Sequence, residues 1–513
     1  MTRPRDPRIV THPASPGLAD AGLLGRRPTV AIVGAGIAGL TAATGLAERG
    51  VAVTVFERED HLGGRVGGWS DRLPDGTAVT MSRGFHAFFR QYYNLRALLK
   101  RTDPRLDRLT PLSDYPLLDP QGRVDTFAGL PRTPPWNAMA FALRSPTFTW
   151  KDLLRLNGRN ALPLATVSVP GTYHLLDRTD AASFLESINF PAAARHLAFE
   201  VFSRSFFAEP QELSAAELAT MFHLYFLGSS EGLTFDVPTE PFPQALWEPL
   251  ADYLAGRRAD LRTGTTVAAL GRTPDGFEVT TETGTETFDG VVLACDVAGL
   301  RRIVGASTVG TEDWRRAIGD LRTAPPFLVR RLWLDRPAGP RRSPFLGTGS
   351  VPPLDNISLL DRYEGEARRW AARTGGSVVE LHAYAASTTD SGGLEKALDS
   401  RLHEIYPETR DARVVGENTL WREDCPLFGV GGFARRPAVQ TPEAFLALAG
   451  DGIRVDLPVA LMERAAVTGW LAANSLLRGW GLAGHPIRSV PNHGRIGLLN
   501  RLPSAVPGCR SRP

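Results

Sequence analysis

Cysteine is almost missing from this chain: Cys295, Cys425 and Cys509 are the only three in 513 residues. Widely separated and outside any C-x-x-C pair, they exclude a disulfide framework and a thiolate metal site. No metal is expected, and a reducing cytoplasm is the expected compartment. Long hydrophobic runs are missing as well. No apolar stretch reaches the ~18 residues that a membrane-spanning helix needs. Residues 1–27, rich in Arg and Pro, lack the apolar segment of a secretion signal and read as a flexible N-terminal tail. Charge of one sign is missing too: 58 Lys+Arg against 55 Asp+Glu leave a net +3. The basic residues are mostly arginine and are spread along the chain, so nucleic acid is excluded as a partner. Internal repeats and low-complexity tracts are also absent. What is present, 43% hydrophobic and 22% charged residues, is enough apolar material for two or three structural units.

The chain is organised around Thr29 to Glu57, TVAIVGAGIAGLTAATGLAERGVAVTVFE. A β-branched run ends at Gly34-Ala35-Gly36-Ile37-Ala38-Gly39, apolar residues then recur at helical spacing, and Val51 to Phe56 is a second strand closing on Glu57. Each part has a chemical task in holding a dinucleotide. Gly34 permits the sharp turn, Gly36 has no Cβ to block a pyrophosphate, and Gly39 lets the helix lie close to the strand. The N–H groups at the start of the helix, from Ile37 and Ala38 on, face the phosphates. Glu57 accepts from a ribose diol and repels a 2′-phosphate, which argues against NADP. Just downstream, Arg58 and then Gly63-Gly64-Arg65 suit a loop pressed against the pyrophosphate of a bound FAD. Arg65 there pairs with phosphate or sits beside the flavin. Far along the chain an apolar strand, Phe445 to Ala449, runs into Gly450-Asp451, and a helix opens around Met462 and continues to about Leu477.

This C-terminal pattern resembles the flavin motif of the amine oxidase and carotenoid desaturase superfamily. By that resemblance Gly450 and Asp451 lie at the ribityl chain or pyrophosphate. The helix N-terminus, with Leu461, Met462 and Ala465, faces the flavin pyrimidine, and the backbone of Val267 holds the adenine. The segment G-F-H-A-F-F…Y-N-L is similar to the signature of ζ-carotene and phytoene desaturases. Its fuller form, residues 83–96 RGFHAFFRQYYNLR, resembles the bacterial isorenieratene synthases, carotenoid φ-ring synthases that desaturate β-carotene with methyl migration. The aromatics at 85, 88, 89, 92 and 93 have the spacing of one helical face, with Arg83, His86 and Arg90 interleaved. His86, with Arg83 beside it, is the candidate catalytic residue, a base for proton loss.

The expected fold is α/β: a Rossmann-type FAD-binding domain built from residues 28–110, 245–320 and 440–480, with an α+β substrate domain from 111–244 and 321–439 inserted, and a C-terminal tail over 481–513. Trp136 to Leu156, apolar and aromatic with Arg144, Lys151 and Arg155, is the candidate patch for lying on a membrane surface. Met221 to Phe226 is expected to line a tunnel, and Cys295 reads as a small buried residue. The resemblance implies noncovalent FAD, β-carotene as substrate, a quinone or oxygen as electron acceptor, and peripheral attachment to a membrane. An acyclic carotenoid desaturase stays open, as do a flavin amine oxidase and a lipid escort protein without flavin. An S-adenosylmethionine methyltransferase shares the glycine loop and acid but has no use for Gly63-Gly64-Arg65.

Overall fold

The computed structural model describes residues 6–198 and 206–495. Its centre is a five-stranded sheet in the order Asp260–Arg262, Ala52–Phe56, Thr29–Val33, Gly290–Leu293, Leu446–Leu448, with every neighbouring pair parallel. Strands buried on both faces read as near-continuous apolar runs, as TVAIV and GVVL do. The sheet draws on three distant parts of the chain, so the unit around it is discontinuous.

The helix Ile37–Ala47 is buried along its whole length and packs against the long helix Leu461–Gly479. Small residues make the close approach possible. A Cβ on Gly469 would lie 2.4 Å from the Ala38 carbonyl oxygen, and one on Gly45 would lie 2.9 Å from the Ala473 Cβ. The first and last segments of the flavin motif are thus locked together by helix packing.

A second, seven-stranded mixed sheet faces this unit. Its order is Val414–Arg422, Phe327–Leu334, Ser377–Ala383, Leu354–Leu359, Phe345–Val351, Leu117–Leu118, Val124–Asp125. Helices between Trp136 and Phe222 complete that side, and the helix Ala215–Phe222 runs on as a π-helical turn, His223–Gly228.

Two expectations are corrected. The aromatic stretch after Met81 is not one helix. Gly84 has φ +92°, Phe88–Phe89 pair antiparallel to Phe235–Asp236, and helix begins only at Tyr93–Leu99. Phe88 therefore turns into the core while Phe85 and Phe89 face a cavity. The N-terminal segment is not loose over its described part. Val10–His12 pairs antiparallel with Ile487–Ser489, Leu18 exchanges backbone hydrogen bonds with Gly481 and Ala483, and buried Asp6 accepts from the Ser230 N–H at 3.0 Å. Backbone bonds and one buried carboxylate do this, and neither leaves a hydrophobic period in the sequence.

Candidate active site

A cavity of about 630 Å³ runs from the glycine turn of the first sheet to the aromatic underside of the second. At its first end Gly34, with φ +105°, makes the turn, and a Cβ on Gly39 would meet the Gly34 oxygen at 1.8 Å. Gly36 is different. Its φ of −75° suits any residue, and a Cβ there would meet only the Gly64 Cα, at 3.9 Å. The space before it is a cradle that the protein leaves open, and the backbone N–H groups of the helix start converge on it. Gly63 donates its N–H to the Ala35 oxygen at 2.9 Å, which lays the Gly63-Gly64 loop against the turn. The Trp247 indole, donating to the Val66 oxygen at 2.7 Å, holds that loop from behind, and no motif in the sequence announced it.

Glu57 sits beneath the turn. One carboxylate oxygen accepts from the Ala35 N–H at 2.6 Å and the other from the Glu59 N–H at 3.0 Å, so the group is oriented and each oxygen keeps a lone pair for a ribose hydroxyl. Arg58 pairs with Glu59 at 3.1 Å and lies 3.6 Å from Asp296. Val267 begins a strand on the wall beside Thr265 and Thr266.

Arg65 and Asp451, two residues read separately from the sequence, form one ion pair. Burial alone would lower the Arg65 pKa, but the Asp451 carboxylate holds it well above its ordinary value. Gly450, with φ +145°, donates its N–H to the Thr468 hydroxyl at 2.9 Å. The helix Leu461–Gly479 has no side-chain cap at Ala460, so its first N–H groups open towards the cavity lined by Leu461, Met462 and Ala465. An open cradle for phosphates, a fixed acid for a ribose and a bare helix start for an anionic ring edge together fit a flavin dinucleotide. Burial pushes the thiols of Cys295 and Cys425 up to about 12, so both stay neutral.

The other end is aromatic. Phe85 meets Phe345 in a tilted pair with centroids 4.5 Å apart, Phe89 meets Tyr225 at 4.6 Å, and Tyr115 meets Phe235 at 4.8 Å. Tyr225 is the one member of Met221–Phe226 that lines the cavity, while Met221 and His223 face the core. Between the two ends lie Arg83 and His86. Arg83 makes two hydrogen bonds to Asp424, at 2.7 and 2.8 Å, and its guanidinium lies over Phe327. His86 Nδ1 is 2.8 Å from the Gly84 oxygen; a carbonyl only accepts, so Nδ1 carries the proton and Nε2 keeps a lone pair. Burial pushes the His86 imidazole down to about 4, partly opposed by the Gly84 bond, and His382, Arg83 and Arg65 disfavour its cation further.

The sequence reading missed a second polar group on this wall. Glu380, His382 and Tyr384 alternate along the strand Ser377–Ala383 and just past its end, and Asn356 stands opposite His382. The signal was there as E-L-H-A-Y, a polar or hydroxylated residue at every second place of an otherwise buried strand.

The chain is similar to known proteins over most of its length. Residues 37–477 match the family described as flavin containing amine oxidoreductase. The chain is 57% identical to the carotenoid phi-ring synthase of Streptomyces griseus over 97% of its own length and 96% of the relative's. It is 26% identical to the carotenoid phi-ring synthase of Chlorobaculum tepidum over 90% of both chains. Among solved structures, the cyclohexylamine oxidase of Brevibacterium oxydans superposes with a TM-score of 0.63 at 16% identity, covering 88% of this chain and 99% of that one.

Proposed function

The chain belongs to the flavin-containing amine oxidoreductase family and is an FAD-dependent oxidoreductase, and from that premise we propose that it converts the β-rings of β-carotene into aromatic φ-rings. One observation carries the reading: the flavin cradle and the aromatic wall are two ends of a single cavity. The similarity to proteins named carotenoid phi-ring synthase supports it. Bound FAD supplies the oxidation by accepting hydride, and a quinone or oxygen restores it. Each ring loses four hydrogens, two as hydride and two as protons, and a methyl group crosses from the quaternary carbon to its neighbour. No methyl donor is needed.

The protein's own share is to hold the ring, exclude water and stabilise positive charge. The faces of Phe85, Phe89 and Tyr92 offer the cation ~0.5–2 kcal/mol each. The neutral His86, with its Nε2 lone pair, is proposed to receive a proton, and Arg83 is proposed to fix the loop that carries it.

Two measurements test this. Cells making β-carotene should accumulate aromatic carotenoids when they also make this protein, and β-carotene added anaerobically to the purified protein should bleach the flavin. Bleaching by ζ-carotene alone would instead favour the acyclic desaturase; this chain is 24% identical, over 88% of its length, to a Synechococcus elongatus protein named probable zeta-carotene desaturase. In His86→Ala the flavin should still be reduced while aromatic product falls ~10²–10⁴-fold, the usual cost of a lost general base.

A hydrocarbon of this size has to be collected from a bilayer, and among the described residues no helix is long and apolar enough to cross one. We propose that the protein docks on a membrane through Trp136, Met139 and Leu143 of the helix Trp136–Arg144 and Leu154 of the helix Trp150–Arg155. Their exposures are 59%, 49%, 71% and 76%. Phe141, in the same helix, is not part of that face, since it is buried against Phe127 with ring centroids 4.7 Å apart. The double change Trp136→Glu and Leu143→Glu should weaken binding to phospholipid vesicles about tenfold or more with flavin content unchanged. Undiminished vesicle binding would remove this face from the proposal.

A further inference from the structure

A polar row crosses the middle of the second sheet. Arg331, Glu380, His382 and Asn356 are 5% exposed or less, and burying such groups is costly unless each is matched. The Arg331 end has a structural purpose. Its guanidinium donates to Glu380 Oε2 at 2.6 and 3.0 Å, to the Thr80 oxygen at 2.7 Å and to the Ser82 hydroxyl at 2.7 Å, tying down the strand that leads into the Gly84 loop.

The row then continues past anything that purpose requires. The other Glu380 oxygen, Oε1, is 2.9 Å from His382 Nε2, and His382 Nδ1 is 2.7 Å from the Tyr384 hydroxyl. Burial opposes ionisation of Glu380, but Arg331 and His382 hold its carboxyl down to about 2. The carboxylate therefore accepts from Nε2–H, and the Phe85 N–H, 3.4 Å from Nε2, is too distant to reverse that tautomer. Nδ1 is left as an acceptor, and the Tyr384 O–H donates to it. Asn356 donates to the same phenol oxygen at 3.0 Å, and its own Oδ1 has no partner among the described residues although the side chain lines the cavity. His382 and Tyr384 line that cavity too. A base is thus oriented by a carboxylate and linked to a hydroxyl at the substrate wall, the arrangement by which weakly basic hydroxyls are activated.

We propose that Tyr384, backed by His382 and Glu380, takes one of the two protons that leave the ring. This rests on the proposed ring aromatisation. After hydride has left and the cation has formed, the electron pair of a neighbouring C–H bond becomes the new ring double bond. The proton from that bond passes to Tyr384 Oη as the phenol's own proton passes to His382 Nδ1. His382 becomes an imidazolium held by the Glu380 carboxylate, and it returns the proton to solvent between turnovers. Two protons lost from different ring carbons call for acceptors at two places, and His86 and Tyr384 stand on different elements of the same wall.

The first test needs no substrate. In protein labelled with ¹⁵N-histidine and containing FAD, His382, assigned by comparison with His382→Gln, should show a protonated Nε2 and an unprotonated Nδ1. Tyr384→Phe should shift the Nδ1 signal. The second test pairs anaerobic flavin reduction by β-carotene with product formed in the presence of a quinone or oxygen, because a ring gives up two hydrides and one flavin accepts only one at a time. Tyr384→Phe, with unchanged flavin content, should reduce flavin within about threefold of the wild-type rate while aromatic product falls ~10²–10³-fold. A protonated Nδ1, an equal fall in flavin reduction and product, or no fall at all would each overturn the proposal. Should Tyr384→Phe lose FAD or fail to fold, 3-fluorotyrosine at position 384 decides, because it keeps the hydroxyl and makes it more acidic. A changed solvent isotope effect on product formation, with flavin reduction unaltered, supports the relay, and no change overturns it. A wild-type flavin that β-carotene does not reduce would sink the proposed function, with the histidine spectrum still reporting on the relay.

Discussion

Gly36→Val yields a folded protein without flavin. The backbone at Gly36 is extended, with φ −75° and ψ −176°, so valine is accommodated without strain. Its Cβ would meet nothing of the protein closer than the Gly64 Cα at 3.9 Å, so the added methyls project into the cradle rather than into the core. They would displace the pyrophosphate from the N–H groups at the start of the helix Ile37–Ala47. Hydrogen bonds to charged groups contribute ~1.5–3 kcal/mol each, so losing two weakens FAD binding ~10²–10⁴-fold. Absorbance of the purified protein near 450 nm is the measurement, with a thermal melt against wild-type protein stripped of FAD to show that the fold survives. Gly305→Ala, where nothing lies within 4 Å of the added carbon, is the control. Full flavin occupancy in Gly36→Val would disprove the cradle assignment. The contrast with Gly39 is instructive: there the glycine is required by the Gly34 oxygen, and substitution is expected to damage the fold itself.

Glu217→Ala is expected to cost ~3–5 kcal/mol of stability, the usual penalty for breaking a buried ion pair. Glu217 is fully buried and bridges Arg464 at 2.8 Å and Arg436 at 3.0 Å. Removing it leaves two guanidiniums away from water with no carboxylate between them. Arg464 lies in the first turn of the helix Leu461–Gly479, where it also donates to the Val459 oxygen at 3.0 Å. The loss should therefore reach the flavin site as weaker FAD retention. Burial opposes ionisation of Glu217, but Arg464 and Arg436 hold its pKa below the ordinary 4.5. A depressed folded-state pKa means that its stabilisation is complete above pH 4.5 and is lost as the pH falls through the lower folded value. Glu217→Ala should accordingly flatten the acid limb of the stability curve as well as lower the melting temperature. A melting temperature within about a degree of wild type would show that the triad contributes little.

How much of this protein its sequence determined follows from distance along the chain. The strand, glycine turn, helix and second strand of Thr29 to Glu57 are contiguous, and this unit was legible because its geometry is set by neighbouring residues. Residues 81–95 show where local reading fails. Aromatics at helical spacing describe a helix or an irregular loop equally well, and pairing with the remote strand Phe235–Pro238 decided for the loop. The N-terminal segment was likewise decided by a partner strand at Ile487–Ser489. The Arg65–Asp451 pair spans 386 positions, the Glu217–Arg464 pair 247, and the Glu380–Arg331 pair 49. No periodicity encodes which distant charge meets which. Only tertiary packing brings those groups to within 3 Å of one another, and burial then makes each pairing obligatory, because a charge removed from water has to find its partner inside the fold.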